Sequence, residues 1–235
     1  MDELAGLAVE ILIILFRAFP GRFILVGGGA LHWVFHSPRL SADIDLKPIE
    51  PAPRGLIHSM AQALGKKLPS FAAARGFSIA CKADEKAQAV QILVDGRPVL
   101  RVELAPLAPV TGREKRLLQS DSLQSEIIVT PDIHQMLFSK AAAILKRPRV
   151  KGRDVFDIWF LQNQGAILDA SAFSDWLKWE EQDSTDLEEK LRQITPSRLR
   201  ADLARFLPES IEKSLAEEDY KLLINAARRL LQPFL

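Results

Sequence analysis

An α+β fold is predicted for this chain: a mixed sheet-and-helix half to about residue 130, then an all-helical half. Three observations predict it. β-prone runs gather between Phe23 and Val129. Asp95-Gly96 is a strong hairpin signal between two of those runs. Beyond Thr130-Pro131 only helical spacings follow. The chain has 235 residues, room for one large domain or two small ones, and 48% of them are hydrophobic, ample for a core.

Asp2 to Ala18 reads as a helix, apolar on most sides and ended by Pro20-Gly21. Phe23 to Val26 reads as a short buried strand, followed by a glycine turn and a helix over Ala30 to Phe35. Ala42 to Lys47 reads as the second strand. Three prolines between Pro48 and Pro53 make a loop, and Leu56 to Leu64 is helical. Ser78 to Lys82, Ala89 to Val94 and Val99 to Leu104 read as strands, with a short one at Ile127 to Val129. Thr130 as N-cap and Pro131 at the first helical position start the next helix. Thr185 and Glu188 are spaced as a capping box. Tyr220, Leu223, Ala227, Leu230 and Leu231 line one face of an amphipathic last helix.

Lys+Arg number 31 and Asp+Glu 30, for a net charge of +1. Bulk charge therefore argues neither for nor against nucleic acid. Cys81 is the single cysteine, so an internal disulfide and a cysteine-based zinc site are both excluded, which fits the reducing cytoplasm. The apolar run Ile11 to Phe16 lies between Glu10 and Arg17 and is too short to span a bilayer, so no membrane partner is expected.

The chemistry concentrates in Phe23 to Leu46. A hydrophobic strand runs into Gly27-Gly28-Gly29, and a second hydrophobic segment carries Asp43 and Asp45. Side chains alternate along a strand, so these aspartates share a face. Adjacent carboxylates repel unless a cation lies between them, and a divalent metal is the usual remedy. Against this stands the reading of two aspartates guarding an edge strand. Glu103, between Val102 and Leu104, is a candidate third ligand or a solvent-facing strand residue. Gly27 and Gly28 before a helix offer bare N–H groups to phosphate, with Ser41 and Arg39 as further contacts or as loop surface. His32 and His36 read as partly buried histidines, and Phe173, Trp176 and Trp179 as helical core.

A second cluster holds Lys140, Arg147, Lys151, Arg153, Asp154 and Asp157. Lys140 stands in an otherwise apolar helix and needs a partner or a role, such as binding a triphosphate. Asp154 and Asp157 are three apart and share a helix face. Asp154 reads as an acid favoured by the helix N-terminus. Asp157, set among Val155, Phe156, Ile158 and Trp159, reads as semi-buried and paired with Lys140.

Together these blocks resemble the AbiEii/AbiGii-type toxins, distant relatives of the DNA polymerase beta-like nucleotidyltransferases. The matching residues are Gly27-Gly28-Gly29-Ala30-Leu31, Arg39-Leu40-Ser41-Ala42-Asp43-Ile44-Asp45-Leu46, Glu103, Lys140 and Arg153-Asp154-Val155-Phe156-Asp157. The resemblance spans about Phe23 to Leu161. It implies a nucleotidyltransferase-like mixed sheet over residues 1–130 and a helical domain over 131–235 closing the active site. It also implies an NTP substrate with Mg²⁺ or Mn²⁺. Asp43 and Asp45 would bind metal, with Glu103 as third ligand. Gly27, Gly28, Ser41 and Arg153 would hold the nucleotide, Lys140 the triphosphate, and Asp157 would orient it or the acceptor. The family role is a toxin with a cognate antitoxin, and some members modify tRNA ends. A small-molecule or protein acceptor, or an inactive nucleotide-binding module, is the alternative. Gly29 departs from the pattern, since Ser or Thr is frequent there.

Overall fold

The computed structural model describes residues 2–107 and 110–235, with side chains from Ala5 onward. The chain divides into two compact units, Met1–Pro131 and Asp132–Leu235.

The first unit is built on a five-stranded mixed sheet. Its strands are β1 (Phe23–Val26), β2 (Asp43–Pro48), β3 (Ile79–Asp84), β4 (Ala89–Val94) and β5 (Arg97–Leu104), in the spatial order β1-β2-β5-β4-β3. β2 and β5 run parallel, and the other neighbours are antiparallel. Ile44, Val102 and Val90 are register partners across three strands and all are fully buried. The alternate positions, Asp43, Arg101 and Gln91, are exposed. The sheet therefore has one apolar face and one polar face, as period-2 patterning demands. Helices α1 (Asp2–Ala18) and α3 (Leu56–Ala73) pack on each other, and α3 packs on β3 and β4. Leu7, Ile11, Leu12 and Leu15 of α1 and Met60, Leu64 and Leu68 of α3 are buried, so these helices cover the apolar face.

Several elements differ from the sequence expectations. α3 runs on to Ala73 through Pro69, well past Leu64. The buried side chains Leu68 and Ala72 offset the lost N–H, as packing often overrides propensity. A second sheet pairs β6 (Arg113–Gln119) with β7 (Ser125–Pro131). Thr130 and Pro131 thus end a strand. Thr130 is fully buried and its hydroxyl donates to the Leu25 carbonyl at 3.0 Å, which satisfies a backbone acceptor of β1. The next helix, α4 (Ile133–Lys146), is capped instead by Asp132, which accepts from the Gln135 N–H at 2.8 Å. Asp95 and Gly96 both adopt positive φ, which fits the tight β4–β5 turn.

The second unit is helical. It comprises α4, α5 (Gly152–Asn163), α6 (Ala170–Trp179), α7 (Ser184–Arg192), α8 (Pro196–Leu203), α9 (Glu209–Glu217) and α10 (Lys221–Leu231). The capping box of α7 is formed by Asp183 and Asp186 rather than Thr185 and Glu188. Phe173 is core, stacked on Trp176, but Trp179 is 77% exposed and lies outside it. Among the described residues no helix is long and apolar enough to cross a membrane.

Candidate active site

The carboxylate face of the first unit is assembled by strand register. On β2, Asp43 is exposed, Asp45 is half-buried, and Ile44 and Leu46 between and beyond them are fully buried. Asp45 is paired in register with Glu103 on parallel β5, and Asp43 with Arg101. Asp43, Asp45 and Glu103 therefore share one side of the sheet. The Glu103 carboxylate lies 2.9 Å from Arg101 Nε. In this arrangement no group of three His, Cys, Asp or Glu side chains converges on a metal position among the described residues.

The glycines stand against this face. β1 ends at Val26, the partner of Asp45, and the chain turns at once into a short helix, α2 (Gly27–Gly29). The glycines are thus the first helical turn rather than a loop before it. A π-helix over Ala30–Val34 continues from them. Gly27 has φ +72°, and a Cβ there would lie 2.3 Å from Asp45 Oδ2. Only glycine allows both that backbone and that approach. At Gly28 a Cβ would meet Arg39 Nη2 at 2.7 Å and Ser41 Oγ at 3.2 Å. The glycine backbone, Arg39, Ser41 and Asp45 thus form one continuous polar cluster.

Arg39 is only 3% exposed, so it is not loop surface. Its Nη1 donates to the Leu40 carbonyl at 3.0 Å. Ser41 Oγ donates to the Asp43 carbonyl at 3.2 Å, which ties the loop to the start of β2. Gly29 has no room for a hydroxyl: a Cβ there would sit 2.4 Å from Trp33 Cζ3. His32 is half-buried with Nδ1 2.9 Å from the Ser37 carbonyl oxygen, and His36 is exposed rather than partly buried.

Lys47 was not singled out in the sequence, yet it continues the Asp43/Asp45 face. The signal was there in the period-2 spacing of Asp43, Asp45 and Lys47. Burial alone lowers its pKa below the usual lysine value.

In the second unit Lys140 is a charge hub. Its Nζ lies 2.8 Å from Asp157 Oδ2 and 3.5 Å from Asp154 Oδ1. Asp157 is fully buried, deeper than the semi-buried position its sequence suggests, and its pairing with Lys140 is as expected. Asp154 is only 2% exposed and also pairs with Arg147, so it is a buried ion-pair partner rather than a surface acid favoured by the helix dipole. Arg153 is half-buried and stacks over the Phe206 ring at 4.6 Å.

A family model described as nucleotidyl transferase AbiEii toxin, type IV TA system, matches residues 13–233. No curated protein matches significantly. Among solved structures, a candidate nucleotidyltransferase from H. pylori is similar at 16% identity with a TM-score of 0.51, covering 98% of this chain and 94% of that one. JHP933 from Helicobacter pylori is similar at 17% identity with a TM-score of 0.50, covering 97% and 93%. At these identities the two structures speak for the fold.

Proposed function

The chain belongs to the AbiEii family of nucleotidyltransferase toxins of type IV toxin–antitoxin systems, and from that premise we propose a Mg²⁺- or Mn²⁺-dependent transfer of a nucleotide from an NTP to a hydroxyl of an RNA such as tRNA, in the cytoplasm. The family assignment also carries a cognate antitoxin. In this reading the acceptor hydroxyl releases its proton to solvent as its oxygen bonds to the α-phosphorus, the bond from that phosphorus to the oxygen bridging to the β-phosphate breaks, and pyrophosphate leaves.

The observation that carries the reading is the seating of Asp45 on Gly27, with Asp43 beside it and Gly28 against Arg39 and Ser41. The chemistry of the donors suits a hard cation: the carboxylates of Asp43 and Asp45 share one face, and Glu103, in register with Asp45, would join them as third ligand on leaving Arg101. A metal bound there supplies a lowered acceptor pKa and charge neutralisation at the leaving pyrophosphate. Gly27, Gly28, Ser41 and Arg153 are assigned to binding the nucleotide. Lys140 is assigned to the triphosphate. An ammonium has three donors, and its two aspartates leave one for a phosphate oxygen. Asp157 positions that ammonium.

A net charge of +1 provides no general attraction to a polyanion, which favours keeping a small-molecule or protein acceptor as the second reading. Purified protein incubated with each labelled NTP tests both, with total RNA, protein and metabolite pools offered separately. Label should enter the RNA pool with Mg²⁺ and wild-type protein, and should vanish with Asp43→Ala. Equal labelling by both proteins defeats the proposal. An absence of Mg²⁺-dependent NTP binding identifies an inactive module.

A further inference from the structure

A cavity of about 760 Å³ lies between α1, α3 and the β6–β7 turn. None of Gly27, Gly28, Ser41, Asp43, Asp45 and Glu103 lines it. Its walls come from the helices that cover the apolar face of the sheet, so it is separate from the carboxylate face. The volume is in the range of small-molecule sites.

Three features of the lining constrain what fits. The first is Glu10, only 3% exposed and part of the wall. One of its carboxylate oxygens accepts from Ser122 Oγ, which also pairs with Ser120 Oγ at 2.8 Å. The other has no partner among the described residues. That oxygen is not a buried orphan, since among the described residues Trp33 Nε1 alone is buried without a partner; as part of the cavity wall it is open to a ligand N–H. The second is an apolar stretch of wall from Ile14, Phe19 and Phe71. The third is a pair of exposed ammoniums, Lys66 and Lys67, neither in an ion pair among the described residues. Arg75 joins them, held over the Phe71 ring at 3.8 Å.

We propose that this cavity is a second nucleotide site, with the amino edge of a base at Glu10 and the phosphates at Lys66 and Lys67. Phosphate or pyrophosphate alone offers Glu10 a second anion rather than a donor and leaves the apolar wall bare. A fatty acid has no donor for Glu10. A nucleotide joins a hydrogen-bond donor, a flat apolar body and an anion in one molecule. A free nucleotide and a terminal nucleotide of RNA share that chemistry.

Calorimetry of the full chain in EDTA tests the proposal, because the carboxylate site then lacks its metal. An Asp43→Ala background removes that site further. AMP, ATP, GTP, pyrophosphate, a short oligoribonucleotide and an acidic peptide are titrated in turn. A nucleotide or the oligoribonucleotide should bind once per chain without metal, the first outcome marking a free nucleotide and the second an RNA end. Lys66→Ala/Lys67→Ala should weaken that binding by about tenfold or more. Both lysines are exposed, so the fold survives their loss, and Glu10→Gln, checked by its melting curve, should change which base is preferred. The proposal is overturned by no metal-free binding, by pyrophosphate or the peptide binding as tightly as any nucleotide, or by binding indifferent to the lysine pair. Labelled transfer with Mg²⁺ is measured separately on the same lysine variant, so failure here leaves the proposed activity standing.

Discussion

Glu103 is the register partner of Asp45 across β2 and β5, yet its carboxylate is turned onto Arg101, two residues back on its own strand. Both side chains of that pair are more than a third exposed, so the pair is weak, worth roughly 0.2–1 kcal/mol. A cation held by Asp43 and Asp45, as proposed, would compete with it easily. Arg101→Gln should therefore free Glu103 and lower the Mg²⁺ concentration at half-maximal transfer, by up to about fivefold. Glu103→Gln should raise it. A metal titration of the labelling rate reads both. No change in either variant removes Glu103 from the ligand set.

Gly27→Ala should fail twice. The backbone at φ +72° disfavours any Cβ, and the one added would sit 2.3 Å from Asp45 Oδ2. The strain costs on the order of 1–3 kcal/mol, and relief requires moving Asp45. Thermal melting should fall by several degrees, while transfer should fall far more than the loss of folded protein explains. A variant that melts lower but keeps full activity per folded molecule would show that Asp45 need not rest on Gly27.

Legibility in the sequence followed how local the controlling physics was. The Asp43/Asp45 face needs only strand alternation, and the Asp95-Gly96 turn only its own backbone, so both were readable. Asp157 was readable because apolar neighbours on both sides force it inward. Asp154 was not: its burial depends on Lys140 and Arg147, which sequence spacing does not bring together. Arg39 was hidden the same way, since a buried guanidinium looks like a loop cation until Gly28 is placed against it. β6, Arg113-Glu114-Lys115-Arg116-Leu117-Leu118-Gln119, carries four charges and no alternation, and only its pairing with β7 makes it a strand.

Lys140 separates structural from chemical roles. Its removal leaves Asp157 and Asp154 as buried charges short of a cation, so Lys140→Met should destabilise by roughly 3–5 kcal/mol. Lys140→Met/Asp157→Leu should recover part of that loss, because the buried carboxylate that lost its ammonium goes too. Denaturant midpoints give the comparison. A Lys140→Met variant as stable as wild type would mean the pair contributes nothing to the fold.

Cys81 should be inert at neutral pH. Burial pushes its thiol up to about 11, and the thiolate is the reactive species. A disulfide exchange reagent at pH 7.5 should react slowly with the folded chain and quickly in denaturant. Above pH 7.5 the folded-state rate should climb as the pH approaches 11. Fast reaction at neutral pH would place the thiol in a different setting.

Lys47 gives the pH test of the carboxylate face. It lies on the same side of β2 as Asp45, and burial lowers its pKa from the ordinary lysine value of 10.5. Between the folded value and 10.5 the unfolded chain holds more protons than the folded one. Stability from this group therefore rises with pH across that window. Below it, the protonated lysine is a standing cost to the fold. Above 10.5 both states are neutral and the cost is gone. Lys47→Met keeps the stem and removes the ammonium, so it should melt above wild type at pH 7, with the gap closing as the pH passes 10.5. If the ammonium also serves the triphosphate, the same variant should gain stability while losing transfer, a combination that a purely structural lysine would not produce. Melting curves across pH and labelling rates at pH 7 measure the two effects separately, and a variant that melts below wild type at neutral pH would contradict the burial cost.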